Sequence, residues 1–195
     1  PTRRRGGALG LLGPVPVLGD STVESARLHV IHLDQDDPKK CTARKLQENG
    51  LVSLHESVIG SPRRGYLLDP RSATVLAPSD KGLISMGGSI VVLDCSWKKI
   101  DQSLQMITGR TSLEGRILPL LLAANPVSWG KMGRLSSAEA LGASLAILGL
   151  WDQAETVLQP FPFGMKFLDL NREPLEAYSN ADSREEIGEI EGDFF

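Results

Sequence analysis

Cysteine is scarce in this chain: Cys41 and Cys95 are the two among 195 residues. Two thiols build no disulfide framework and fall short of the ligands an iron–sulfur cluster takes. Histidine is equally thin. His29, His32 and His55 have none of the spacings that hold a metal ion, so strand positions are the reading for all three and no metal site is expected. Long apolar runs are also missing. The clusters at 117–124 and 138–150 are broken by Pro119 and by Glu139 and Gly142, and neither reaches the roughly 18 apolar residues of a spanning helix. At the start, Gly and Pro interrupt what would be the core of a secretory leader, and a reducing, cytoplasmic location is expected. No Walker sequence, no G-x-G-x-x-G after a strand and no G-x-S-x-G elbow occurs. Kinase and hydrolase chemistry therefore lack their usual signatures. A net charge of −3 argues against wholesale electrostatic binding of nucleic acid, though not against a local basic patch.

What is present is enough apolar residue, 41% of the chain, to bury a core. Residues 1–26 are rich in Gly, Pro and Arg and read as a disordered tail; the acidic stretch 183–195 reads as a second tail. Between them the pattern changes once. Strand-like segments at 27–33, 51–55, 73–77, 89–93 and 116–118 alternate with helical patterns at 41–48, 79–86 and 98–107. That alternation predicts an α/β region over 27–118 with a mostly parallel sheet. After Pro119 the periodicity is helical, at 136–148, 151–158 and 163–178. Residues 119–182 are thus expected to be all-helical. Ser136 and Glu139 have the spacing of a capping box.

Three segments have residues that can do chemistry. The run Ile90-Val91-Val92-Leu93-Asp94-Cys95-Ser96-Trp97 is an apolar strand ending in a carboxylate, a thiol, a hydroxyl and an indole. Sheets of this class place ligands at that edge; a helix-capping Asp and a core Trp fit the same residues. In the second segment, Thr42 opens a helix behind Asp36-Asp37-Pro38, and Lys39, Lys40, Arg44 and Lys45 crowd four cations into seven residues. Amide donors and cations at a helix start suit a carboxylate, a phosphate or an RNA backbone, and they equally suit a solvated helix face. The third, Ala123-Ala124-Asn125-Pro126-Val127-Ser128-Trp129-Gly130, is either a structural hairpin or a loop whose backbone reads a base edge.

Five stretches in this order, DDPKKCT (36–42), VVLDCSW (91–97), RILPLLLAANPVSWG (116–130), RLSSAEAL (134–141) and FPFGMKFLDLNREPLEAY (161–178), resemble the ribosomal-RNA aminocarboxypropyltransferases of archaea and eukaryotes. The resemblance spans about residues 27–180. It implies a SPOUT-like fold with a deep trefoil knot. It also implies transfer of the 3-amino-3-carboxypropyl group from S-adenosylmethionine to N3 of a pseudouridine, or its N1-methyl form, in small-subunit rRNA of a pre-ribosomal particle. Methylthioadenosine is the other product. By motif, Thr42 and Ser137 would meet the cofactor's carboxylate, Leu93 its ribose, and Leu118 and Gly133 its adenine through backbone groups. Asp94 would hold the amino group or lie near the nucleotide, and Trp97 would shield the methyl group. Asp94 and Trp97 are thus the residues expected nearest the reaction. Relatives usually have Asn-Tyr at Ser128-Trp129 and an aromatic at Gly133. A knotted RNA methyltransferase and a non-catalytic assembly factor are the alternatives, and a monomer without membrane contact is expected.

Overall fold

The computed structural model describes residues 25–33, 42–94 and 100–195. Five strands form one sheet: β1 (Arg27–His32), β2 (Ser53–His55), β3 (Gly65–Leu68), β4 (Ser89–Asp94) and β5 (Glu114–Arg116). Their order is β2-β1-β4-β3-β5, and every pairing is parallel. The connections bring α1 (Thr42–Glu48), α2 (Lys81–Ser85) and α3 (Ile100–Thr108). After β5 come α4 (Ser137–Ile147), α5 (Trp151–Leu158), α6 (Gly164–Leu170), α7 (Arg172–Ser179) and α8 (Arg184–Phe194). Among the described residues no helix is long and apolar enough to cross a membrane.

Alternation along the strands builds two cores. Leu28 and Val30 of β1, Tyr66 and Leu68 of β3, and Ile90 and Val92 of β4 face a large cluster shared with α1 and with α4 to α8. Ile31, Leu67 and Val91 face the other way, onto Leu104 and Ile107 of α3. Both sheet faces are covered, as a parallel sheet requires. The division at 118/119 therefore does not separate two cores, because sheet and later helices share the larger one. Close approach is needed where β3 starts. Gly65 has φ +140°, and a Cβ there would run into the Ser89 backbone of β4.

The structure corrects four expectations. Residues 65–68, outside every strand-like segment of the sequence, form the fully buried β3. Residues 73–77 are not a strand: only Val75 bridges, to Ile117, between Pro70 and Pro78. The helix expected over 163–178 is two helices. The ring of Pro174 cannot follow an unbroken turn, and the Asn171 amide leaves the helix to bracket Leu122, accepting from its N–H at 2.8 Å and donating to its carbonyl at 2.9 Å. The acidic segment from residue 183 is not a tail. It is α8, capped by Ser183 and anchored by the fully buried Ile187.

The histidines sit on strands. His29 Nδ1 lies 3.0 Å from His55 Nε2, and the rings stack at 5.2 Å. Burial, and then the charges of His55 and Arg27, push His29 down from 6.5 to about 4. A folded value below the unfolded one is stability present above pH 6.5 that drains as the pH falls toward about 4. His29→Gln, neutral throughout that window, is expected to flatten the urea-midpoint profile within it. An unchanged slope would argue that the pair contributes nothing to acid sensitivity.

Candidate active site

Strand order singles out one place on the sheet. From β1 the chain crosses through α1 to β2 on one side; from β4 it crosses through α3 to β5 on the other. The crevice between the carboxyl ends of β1 and β4 is therefore a topological switch point, where open parallel sheets bind ligands. The parallel register pairs Ile31 with Leu93 and His32 with Asp94, the last residues of the two strands.

Asp94 is the hub there. His32 Nδ1 lies 2.9 Å from Asp94 Oδ2, and Ser137 Oγ donates to Asp94 Oδ1 at 3.0 Å. An ionised carboxylate only accepts, which assigns the ring proton to Nδ1. His32 is 2% exposed. Ser137 is the first residue of α4, placed by a capping box in which Ser136 Oγ accepts from Glu139 N and Glu139 Oε2 accepts from Ser136 N. The first turn of a helix also has amide donors without intrahelical partners. A β-strand end, a buried imidazole and a helix start thus converge on one carboxyl group.

Glu139 extends this arrangement to the 123–134 loop. Its side chain is completely buried, and all four partners are N–H donors. Oε1 accepts from Ala124 N at 2.7 Å and Asn125 N at 2.9 Å; Oε2 accepts from Asn125 Nδ2 and Ser136 N, both at 2.7 Å. The two arms of the loop pair as well: Ala123 N donates to Lys131 O, Gly130 N to Ala123 O and Gly133 N to Leu121 O. Gly133 has φ +66° and is exposed. Of the two readings left open for this loop, the hairpin is present, and one buried side chain ties it to the first turn of α4.

The other expected site residues fall as follows. Thr42 opens α1, half-buried, on the α4 side of the sheet. Leu93 is half-buried against the α3 cluster, and Leu118 against the larger one. Arg44 is half-buried, and Lys45 Nζ lies 5.2 Å from the centroid of the Phe161 ring. Lys39, Lys40 and Trp97 lie outside the described residues. Ser137 lies on Asp94. A hydroxyl has one proton, and here it goes to Asp94. His32 was missed, because only the β1–β4 register brings it to Asp94; its position at the end of an apolar strand was the available hint.

The chain matches two family models. One, described as ribosome biogenesis protein, C-terminal, covers residues 66–195; the other, a possible Fer4-like domain in RNase L inhibitor, covers residues 26–57. The second name does not fit as an iron–sulfur site, since two cysteines cannot supply the four thiolates of such a cluster. Among the described residues no group of three or more His, Cys, Asp or Glu is placed to hold a metal. The chain is 44% identical over 170 residues to a 16S rRNA aminocarboxypropyltransferase of Methanosarcina mazei, covering 86% of this chain and 94% of that one. It is 42% identical to one from Methanothermobacter thermautotrophicus, covering 86% and 98%. Its structure is similar to the SAM-dependent rRNA:acp-transferase Tsr3 from Vulcanisaeta distributa, with TM-score 0.74, 34% identity and coverage of 86% and 96%. These matches over most of both chains mean that this chain belongs to the rRNA aminocarboxypropyltransferase family.

Proposed function

We propose that this chain transfers the 3-amino-3-carboxypropyl group of S-adenosylmethionine to N3 of a pseudouridine or N1-methylpseudouridine in small-subunit rRNA. The observation that carries the reading is the Asp94–His32–Ser137 cluster at the β1/β4 switch point. When bound, S-adenosylmethionine supplies a sulfonium whose carbons are open to in-line attack, and its displacement leaves a neutral thioether that needs no acid. Everything else falls to positioning, which alone is worth several kcal/mol.

Asp94 takes the tail's ammonium, held rigid by His32. The Ser137 proton is then released from Asp94 and turns, with the Thr42 hydroxyl, to the tail's carboxylate beside the start of α4. The backbones of Leu93, Leu118 and Gly133 receive ribose and adenine, and Trp97 packs beside the sulfonium to keep the methyl from the nucleophile. The N3 proton passes to water or to Asp94. Lys39, Lys40, Arg44 and Lys45 meet the RNA backbone.

The finer features of the fold belong to the same proposal. A deep knot needs a threaded segment, and 120–122 is tied to later chain: Leu120 O accepts from Tyr178 Oη, Leu120 N donates to Glu191, and Asn171 brackets Leu122. A monomer is supported by the cover on both sheet faces, and a cytoplasmic location by the rRNA substrate.

The test uses cofactor labelled at the carboxyl carbon, incubated with small-subunit rRNA. Label is expected in the RNA. Label arriving only from the methyl carbon makes the protein a methyltransferase, and no cofactor binding by calorimetry leaves an assembly factor. Asp94→Ala is expected to weaken S-adenosylmethionine binding roughly ten- to a hundredfold, the loss of one charge-assisted hydrogen bond.

A further inference from the structure

The loop over 123–134 has a feature that cofactor binding does not use. Val127 is 80% exposed, Trp129 59% and Met132 54%, although the two arms of the loop are hydrogen-bonded to each other and its start is pinned by Glu139. A rigid loop that keeps apolar side chains in water is already ordered for a partner, so binding loses little conformational entropy. Its charge says which partner. The chain as a whole is at −3, yet residues 125–135 contain Lys131 and Arg134 and no acidic residue, and both cations are exposed. An exposed indole followed by two exposed cations within five residues fits a nucleobase and its phosphates better than a protein surface.

We infer that Trp129 is a stacking shelf for a single-stranded rRNA base flanking the modified nucleotide, with Lys131 and Arg134 on the adjoining phosphates. This rests on the transferase reading. N3 of a pseudouridine lies on its pairing edge, so the target must be unpaired when it reacts. Its neighbours then lose stacking partners, and an exposed indole replaces one. The loop is joined to the site through Glu139, two residues along α4 from Ser137, so a stacked base is registered against Asp94.

The test measures anisotropy of a fluorescein-labelled single-stranded oligouridine and of an RNA duplex, beside calorimetry with S-adenosylmethionine. Trp129→Ala is expected to weaken single-strand binding about tenfold while Trp129→Phe stays near wild type, since either ring can stack. Duplex and S-adenosylmethionine affinities should not move. Single-strand affinity unchanged in Trp129→Ala overturns the shelf, as does a wild type that does not bind the single strand. The two readings fail separately. Label transfer without any Trp129 effect leaves the enzyme and removes the shelf; the Trp129 effect without label transfer does the reverse.

Discussion

Glu139→Ala is expected to lower stability by about 3–5 kcal/mol, a large part of the total for a domain of ordinary stability. The variant strips the acceptor from four donors at once: Ala124 N, Asn125 N and Asn125 Nδ2, which are buried, and Ser136 N, which is half-buried. Each such donor costs about 1–3 kcal/mol when left unmade, and water entering the gap recovers part of the sum. Glu139→Gln separates charge from shape. Its amide would turn an N–H toward donors that need an acceptor, so a loss of about 2–3 kcal/mol is expected even at constant volume. Urea midpoints give both numbers. Calorimetry should show weaker S-adenosylmethionine binding too, because Ser137 and the loop lose their common anchor. A Glu139→Gln midpoint equal to wild type would mean that the loop is held by its own backbone pairing.

Asp80→Asn is expected to be of similar size, about 3–5 kcal/mol, for a different reason. Asp80 is buried between two guanidinium groups. Arg116 Nε and Nη2 reach Asp80 Oδ1 at 3.2 and 3.1 Å, and Arg184 donates at 2.8 and 2.6 Å while also bonding Val75 O. Arg116 further lies 4.4 Å from the centroid of the Tyr66 ring. Removing the carboxylate charge leaves cations facing each other in a poorly solvated corner. The clip joins β5 to α8, so α8 should exchange amide hydrogens faster before the sheet does.

The same clip sets an acid limit. Burial acts to raise the Asp80 pKa, but hydrogen bonds from Arg184 and Arg116, with the Ala77 amide, overcome it and hold the group below 3.8. A folded value below the unfolded one is stability present above pH 3.8 and lost as the pH falls through the folded value. Asp80→Asn should therefore remove slope from the stability curve below about pH 4, at lower pH than the His29 window. An identical slope in wild type and Asp80→Asn would exclude the clip as its source.

Local patterns reported much of this molecule. β1 and β4 were legible as apolar runs, α4 as a capped helix through Ser136 and Glu139, and Asp94 as a strand-end carboxylate. The misses share one cause. β3 is four residues long and has no β-branched residue, and only its burial on both faces makes it a strand. Asn171 breaks α6 from α7 because it serves Leu122, forty-nine residues away. The acidic composition of α8 hid an amphipathic helix whose Ile187 and Arg184 are used against partners distant in the chain.

Residue order alone determined the alternation of apolar segments, the caps, the absence of metal-ligand spacings and the five motifs that resemble one transferase family. Those are properties of neighbours, within reach of a turn of helix or a few strand residues. Tertiary structure alone decided that His32 and Ser137 both meet Asp94, and that Glu139 holds a loop as well as a cap. It also decided that Trp129 stays in water. Each depends on which strands lie side by side and in what register, and parallel pairing joins residues whose separation along the chain leaves no periodic trace.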